Sequence, residues 1–248
     1  MQTIQLLGIP YDQKSSFLRG PAQAPALIRQ TLHNGAYNYC AENGVDILRD
    51  RTVSDLGDLQ VTAYEDLHVQ LSQKLKTTLP TLFLGGDHSV TFPIVKRMHE
   101  LHGEFDILHF DAHGDLYDEF EGDRFSHACP FARIMEAGLA KRLVQVGVRT
   151  LNPHQREQVQ RFGVEVIGMR DLHLTKQLHF KRPLYISIDI DGFDPAFAPG
   201  VSHQEAGGLT PRFVIDLLQD LQTPIIGADI VEFNPVRDHA GITAALCV

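Results

Sequence analysis

Short apolar runs alternate along the chain with amphipathic or polar segments. Seven runs read as β-strands: IQLLGI (4–9), TLFLGG (81–86), DILHF (106–110), RLVQVGV (142–148), VEVIGM (164–169), LYISIDI (184–190) and PIIGADIV (224–231). Several are apolar throughout, not alternating, which is the pattern of strands covered on both faces in a parallel sheet. Between them lie helical patterns. YEDLHVQLSQKLKTTL (64–79) repeats Leu67, Leu71 and Leu75 at four-residue spacing. TPRFVIDLLQDL (210–221) opens with Thr210 as a candidate N-cap and Pro211 in the first helical position. HQREQVQRF (154–162) is polar and is followed by Gly163 as a stop. Strand–helix alternation predicts an α/β fold with a mainly parallel sheet. No repeat, low-complexity segment or linker divides the chain, so 1–248 is expected to be one domain.

Composition narrows the functional classes. A formal charge of −9 argues against a nucleic-acid partner, which calls for a basic face. No stretch approaches the ~18 consecutive apolar residues of a membrane span. The N-terminal MQTIQLLGIPYDQKSS reads as a first strand and not as a signal peptide. Three widely spaced cysteines, Cys40, Cys129 and Cys247, suit neither a disulfide framework nor a Cys-rich zinc site, and a reducing cytoplasm is the expected location.

Chemistry is concentrated directly after three strands. TLFL is followed by Gly85-Gly86-Asp87-His88-Ser89, DILHF by Asp111, His113 and Asp115, and YISI by Asp189 and Asp191, with Asp194 further on. Taken singly, each has an ordinary structural explanation: the glycines permit a tight turn, Asp194 before Pro195 starts one, and a lone His or Asp caps or faces solvent. Together they ask for another account. Ligands of parallel α/β sheets bind at the carboxyl ends of strands, and residues two apart in an extended segment point to one side. If the three ends are neighbours, two histidines and four aspartates converge. Four buried carboxylates need compensating cations, and two divalent ions would balance them. Carboxylate with some imidazole suits Mn²⁺, whereas purely oxygen sets favour Mg²⁺ or Ca²⁺. Paired ions ~3.5–4 Å apart can acidify a shared water.

At these residues the sequence resembles the ureohydrolase family of arginases and agmatinases. GGDHS (85–89), DAHGD (111–115) and SIDIDGFDPAFAPG (187–200) carry the resemblance. It extends over nearly the whole chain. SSFLRGPAQAPALIR (15–29), FEGDRFSHACPFARIMEAG (120–138), VGVRTLNPHQREQVQRFGVE (146–165) and APGVSHQEAGGLTPR (198–212) make it similar to the plant-type arginase/agmatinase branch in particular. The resemblance implies a three-layer α/β/α fold of the arginase/deacetylase kind, with an eight-stranded, mostly parallel sheet. It also implies a homotrimer or homohexamer and two Mn²⁺ per chain. His88, Asp111, Asp115 and Asp189 would hold the first ion, and Asp111, His113, Asp189 and Asp191 the second. Glu232 in DIVEFNP matches the acid that grips the guanidinium, and His127 in RFSHACPF the active-site histidine. Asp115 would accept a hydrogen bond from the nucleophile. His109 alternates with Asp111 and is a candidate supporting residue. His33, His99, His102, His154, His173 and His179 are read as surface or structural.

The implied activity is hydrolysis of a guanidino C–N bond, releasing urea. Two departures bear on the substrate. Asp123 stands where plant-type arginases tend to have Asn, and a carboxylate there would repel an α-carboxylate. Asn152 stands where animal arginases carry an acid that meets the α-amino group. Both are expected to contact the substrate's tail, and together they favour agmatine over L-arginine. Arginase proper and a hydrolase of another guanidino compound, such as guanidinobutyrate, are the alternatives. A metal-binding but non-catalytic subunit would have lost ligands, and all six are present. A deacetylase-like site would use one zinc, which leaves His113 and Asp191 unexplained. The chain ends at GITAALCV, where family members usually continue into a longer helix.

Overall fold

A computed structural model of the chain describes residues 2–248. Its centre is an eight-stranded sheet. The strands are β1 (Gln2–Gly8), β2 (Arg51–Asp58), β3 (Thr81–Leu84), β4 (Asp106–Phe110), β5 (Arg142–Val146), β6 (Glu165–Ile167), β7 (Leu184–Asp189) and β8 (Ile225–Val231). They run in the order β2-β1-β3-β8-β7-β4-β5-β6, and every pairing is parallel. The helices are α1 (Ala24–Leu32), α2 (Ile47–Asp50), α3 (Asp66–Lys74), α4 (Thr91–His102), α5 (Pro130–Glu136), α6 (Pro153–Phe162), α7 (Pro211–Asp220) and α8 (Ile242–Leu246).

Alternate residues of the central strands feed two separate apolar layers. Leu7, Phe83, Ile107 and Tyr185 pack with α3, α4 and α5 through Leu67, Leu71, Ile94, Val95, Phe131 and Ile134. Leu6, Leu84, Leu108 and Ile186 pack on the other face with Ala24 and Ile28 of α1, Val214 of α7 and Ala244 of α8. This is the three-layer architecture the motifs imply. It also explains why β4, DILHF, is buried at every position.

The predicted helices form where their end signals stand. Asn152 caps α6 by accepting from Gln155 N at 2.9 Å, and Gly163 closes it in the left-handed region. Thr210 caps α7 through Phe213 N. The 64–79 pattern is shorter than expected: α3 ends at Lys74, and Leu75 is extended but still buried. One strand escaped the pattern. RTVSDLGD forms β2 at the sheet edge, where its half-exposed, polar sequence needs no apolar cover on both faces. Helices α1, α4 and α5 also lacked a distinct sequence signal.

The strand order decides what meets at the carboxyl edge. β3, β8, β7 and β4 are consecutive neighbours. The ends that carry the motifs are therefore adjacent, with β8 interposed between β3 and β7. Chain direction is pinned at Gly86. A Cβ built there would lie 1.8 Å from the Tyr11 carbonyl oxygen, and Gly86 O accepts from Glu232 N at 2.8 Å. Gly86→Ala is expected to destabilise the fold by about 3 kcal/mol. Thermal denaturation should show Tm lowered by roughly 5–10 °C, and an unaltered Tm would contradict the close approach.

Candidate metal centre and active site

His88 follows β3, Asp111, His113 and Asp115 follow β4, Asp189 ends β7, and Asp191 lies just beyond it. Their ligand atoms form two overlapping groups: His88, Asp111, Asp115 and Asp189; and Asp111, His113 and Asp191. His88 Nδ1 lies 3.0 Å from Asp115 Oδ2, 3.1 Å from Asp189 Oδ2 and 3.5 Å from Asp111 Oδ2. His113 Nδ1 is 3.2 Å from Asp191 Oδ2 and 3.4 Å from Asp111 Oδ1. All six residues of the expected set are brought together. Asp115 holds its place with φ 48°, in the left-handed region that non-glycine residues rarely adopt.

The electrostatics are those of a site built for cations. Burial raises the Asp189 carboxyl well above its ordinary range, and Asp191 and Asp111 push it further. Burial raises Asp191 to about 6, against the opposing pull of His113. Burial pulls the His88 imidazole down, but the three facing carboxylates more than offset this and raise it well above normal. His88 Nδ1 and Asp111 Oδ2 are both buried and make no hydrogen bond of acceptable geometry. A donor set of carboxylates and imidazoles with unpartnered atoms facing one another fits divalent cations.

Beneath the ligands runs a buried polar row. Gln145, His109, Ser187 and Asp229 stand in register on β5, β4, β7 and β8. Ser187 Oγ donates to Asp229 Oδ1 at 2.6 Å, so its oxygen receives the His88 Nε2 proton at 3.0 Å. That leaves Nδ1 turned towards the carboxylates. Tyr185 and Thr91 hydroxyls hold the other Asp229 oxygen at 2.7 and 2.9 Å. Gln145 donates to His109 Nδ1 at 3.1 Å, which leaves the proton on Nε2, and that nitrogen lies 2.9 Å from Asp111 Oδ2 but off line for a hydrogen bond. The ring is stacked on Phe131 with centroids 4.0 Å apart.

Glu232 and His127 occupy the other side. Glu232, with φ 61°, follows β8. Its Oε1 accepts from His88 N and pairs with His127 Nδ1, both at 2.9 Å. Burial pulls the His127 imidazole down, but the Glu232 carboxylate raises it to about 9. Ser16 meets the other ring nitrogen, Nε2, with its Oγ at 2.8 Å and its N at 3.2 Å. Asp87 supports this arrangement by accepting from Lys14 N at 2.9 Å, which fixes the loop that carries Ser16.

His113, Asp115, His127, Asp189, Asp191 and Glu232 line a cavity of about 250 Å³ at this edge of the sheet. A larger cavity, about 690 Å³, lies at the opposite edge near Pro183 and Pro224. It has a mixed rim of Lys176, Lys181, Asp216 and Asp220 and, among the described residues, no converging ligand set.

Two expected tail contacts sit elsewhere. Asp123 is bound to Lys14 Nζ at 2.6 Å and caps Phe125 N, so it presents no unpaired carboxylate. Asn152 is engaged as the α6 cap and donates to the Tyr117 hydroxyl at 2.7 Å. Neither lines the cavity, whereas Ser16, Tyr117, Gln155, His203 and Glu205 do. Sequence reasoning placed Tyr117 in a loop that meets the tail and missed Ser16, Gln155, His203 and Glu205. It also missed Ser187 and Asp229, although an acid inside the apolar run IIGADIV is a readable signal for a buried polar partner.

The sequence profile of the arginase family matches residues 2–248. Arginase 1 of Arabidopsis thaliana, described as mitochondrial, is 47% identical over 96% of this chain and 76% of its own length. The chain belongs to the arginase family. The solved arginase of Medicago truncatula superposes with a TM-score of 0.94 at 43% identity, over 99% of this chain and 84% of that one. An agmatinase of Gallus gallus, also described as mitochondrial, is 34% identical over 97% of this chain and 76% of its own length. The expected preference for agmatine is therefore corrected. Plant relatives named arginase stand at 44–47% identity, well above the agmatinase. The two-residue argument also loses its physical basis, because Lys14 neutralises Asp123 and helix capping occupies Asn152. The chain is an arginase-family amidino hydrolase, and that family is metal-dependent.

Removing the Ser187 hydroxyl frees His88 Nε2 and strips one donor from Asp229. Ser187→Ala is expected to weaken divalent-metal binding about 10–100-fold, read by titrating Mn²⁺ into metal-stripped protein. Affinity equal to the parent's would show that the polar row does not hold His88.

Proposed function

We propose that this protein hydrolyses L-arginine to urea and ornithine with two Mn²⁺ ions per chain. The observation that carries the reading is the convergence of six ligand residues on one cavity with a buried carboxylate beside them, in a chain whose arginase relatives exceed its agmatinase relative in identity. His88, Asp111, Asp115 and Asp189 would hold one ion, and Asp111, His113, Asp189 and Asp191 the other. Bound there, the ions neutralise the carboxylates and supply an acidified water.

The chain's own groups do the rest. Glu232 carries negative charge, held below the ordinary carboxyl range by His127 against the effect of burial. Its Oε1 is engaged with His88 N and His127, so Oε2 is the oxygen left for the guanidinium. Asp115 accepts a proton from the attacking water. As the guanidino C–N bond breaks, His127 delivers a proton to the leaving amine, which a ring held towards its protonated form can do. Urea and ornithine leave.

Urea release from Mn²⁺-loaded protein, measured with L-arginine and with agmatine, tests the reading. kcat/KM for L-arginine should exceed that for agmatine by at least about 10-fold, or about 1.4 kcal/mol, and the reverse order would overturn it. Asp111→Ala should abolish the metal-dependent activity. Glu232→Gln should lower kcat/KM by roughly 100-fold, the cost of losing a charged hydrogen-bond partner for a buried cation.

A further inference from the structure

Glu205 is a carboxylate on a fixed loop that nothing in the proposed chemistry uses. It lines the same cavity as Glu232, but the two acids differ in setting. Glu232 is 3% exposed, at the cavity floor. The Glu205 side chain is 40% exposed, at the mouth. Among the described residues, the one cationic atom near the Glu205 carboxylate is His113 Nε2, at 3.7 Å, beyond hydrogen-bond range.

The loop is held by its backbone, which leaves the side chain free. Arg149 Nη2 donates to Glu205 O at 2.6 Å and to Asp191 O at 3.0 Å, and Nη1 donates to Gly192 O at 3.1 Å. One guanidinium thus ties the mouth loop to the turn that presents Asp191. The Asp194 carboxylate fixes the loop's far side, accepting from Gly207 N at 2.7 Å and Gly208 N at 3.1 Å. His203 walls the same stretch, stacked on His127 with centroids 5.6 Å apart. A carboxylate carried on a backbone held this firmly needs little loop ordering to meet a cation.

We propose that Glu205 is a specificity-determining residue that receives the ammonium group at the tail of the substrate. The inference rests on the reading that the cavity takes a guanidino compound. With Glu232 on the guanidinium and Glu205 on the ammonium, the cavity has one acid for each of the two cationic ends of a guanidino amine. A guanidino acid without an amine leaves Glu205 unpaired beside a carboxylate and is disfavoured. The role falls to Glu205 because Asp123 is neutralised by Lys14 and Asn152 is consumed by helix capping.

Glu205→Gln keeps the shape and the Arg149 staple while removing the charge. KM for L-arginine should rise about 10-fold or more, as expected for losing a charge-assisted hydrogen bond. The inhibition constant of desamino-arginine, which has the guanidinium and carboxylate but no amine, should stay level or fall. Glu205→Asp should restore part of the arginine affinity. Bound manganese, measured on the same samples, separates this role from support of His113. Equal weakening of both compounds, or loss of manganese in the Gln variant, would overturn the inference. Failure of the parent protein to release urea from L-arginine would instead sink the arginine reading. Agmatine, which carries the same amine, then replaces arginine in the comparison and still tests Glu205.

Discussion

Four carboxylates, Asp111, Asp115, Asp189 and Asp191, crowd together at the buried ends of two adjacent strands, and the site is organised around that repulsion. All four are less than a tenth exposed. Moving such groups out of water costs several kcal/mol each unless positive charge compensates. His88 and His113 supply part of it. The unpartnered His88 Nδ1 and Asp111 Oδ2 mark where more is wanted. The left-handed backbone at Asp115 and Glu232 is a further cost, accepted where a side chain must be aimed at the shared centre.

A repulsive cluster needs a rigid floor, and the sheet provides one. The row Gln145–His109–Ser187–Asp229 crosses four strands in register directly under the ligands. Gln145 bonds His109 and Ser187 bonds Asp229 inside an otherwise apolar layer, so β5 is tied to β4 and β7 to β8 by polar contacts as well as by the backbone ladder. The chain of hydrogen bonds from Asp229 through Ser187 to His88 Nε2 fixes one ring orientation. A Leu or Val at any of these positions would pack well and leave a neighbour's polar atom unsatisfied.

Much of this was legible in the sequence. GGDHS, DAHGD and SIDID could be placed after strands because apolar runs end abruptly at them, and period two puts alternate acids on one side. The helix ends at Gly163 and Thr210 were readable from capping chemistry. What resisted was any feature set by distant pairing. β2 is polar because it lies at an edge, a fact of strand order that its own residues do not announce. That β8 separates β3 from β7 is likewise invisible in any one segment. Asp123 was misread for the same reason, because the lysine that neutralises it lies 109 residues away.

The misreading of Asp123 also shows why the head and the tail of a substrate are unequal problems. In the proposed reading the guanidinium end would meet groups fixed by strand register and a buried polar row, so residue type and spacing nearly determine what they can do. The tail would meet loops, where a side chain's meaning depends on whether a partner has already claimed it. Asp123 and Asn152 look available in the sequence and are engaged in the fold. Glu205 sits in the SHQEAGG stretch, whose motif gave its side chain no role, and that side chain is left uncommitted because Arg149 and Asp194 hold its loop through backbone atoms alone. For a site of this kind, the residues that discriminate between substrates are best sought among side chains whose backbone is pinned and whose charge is unspent.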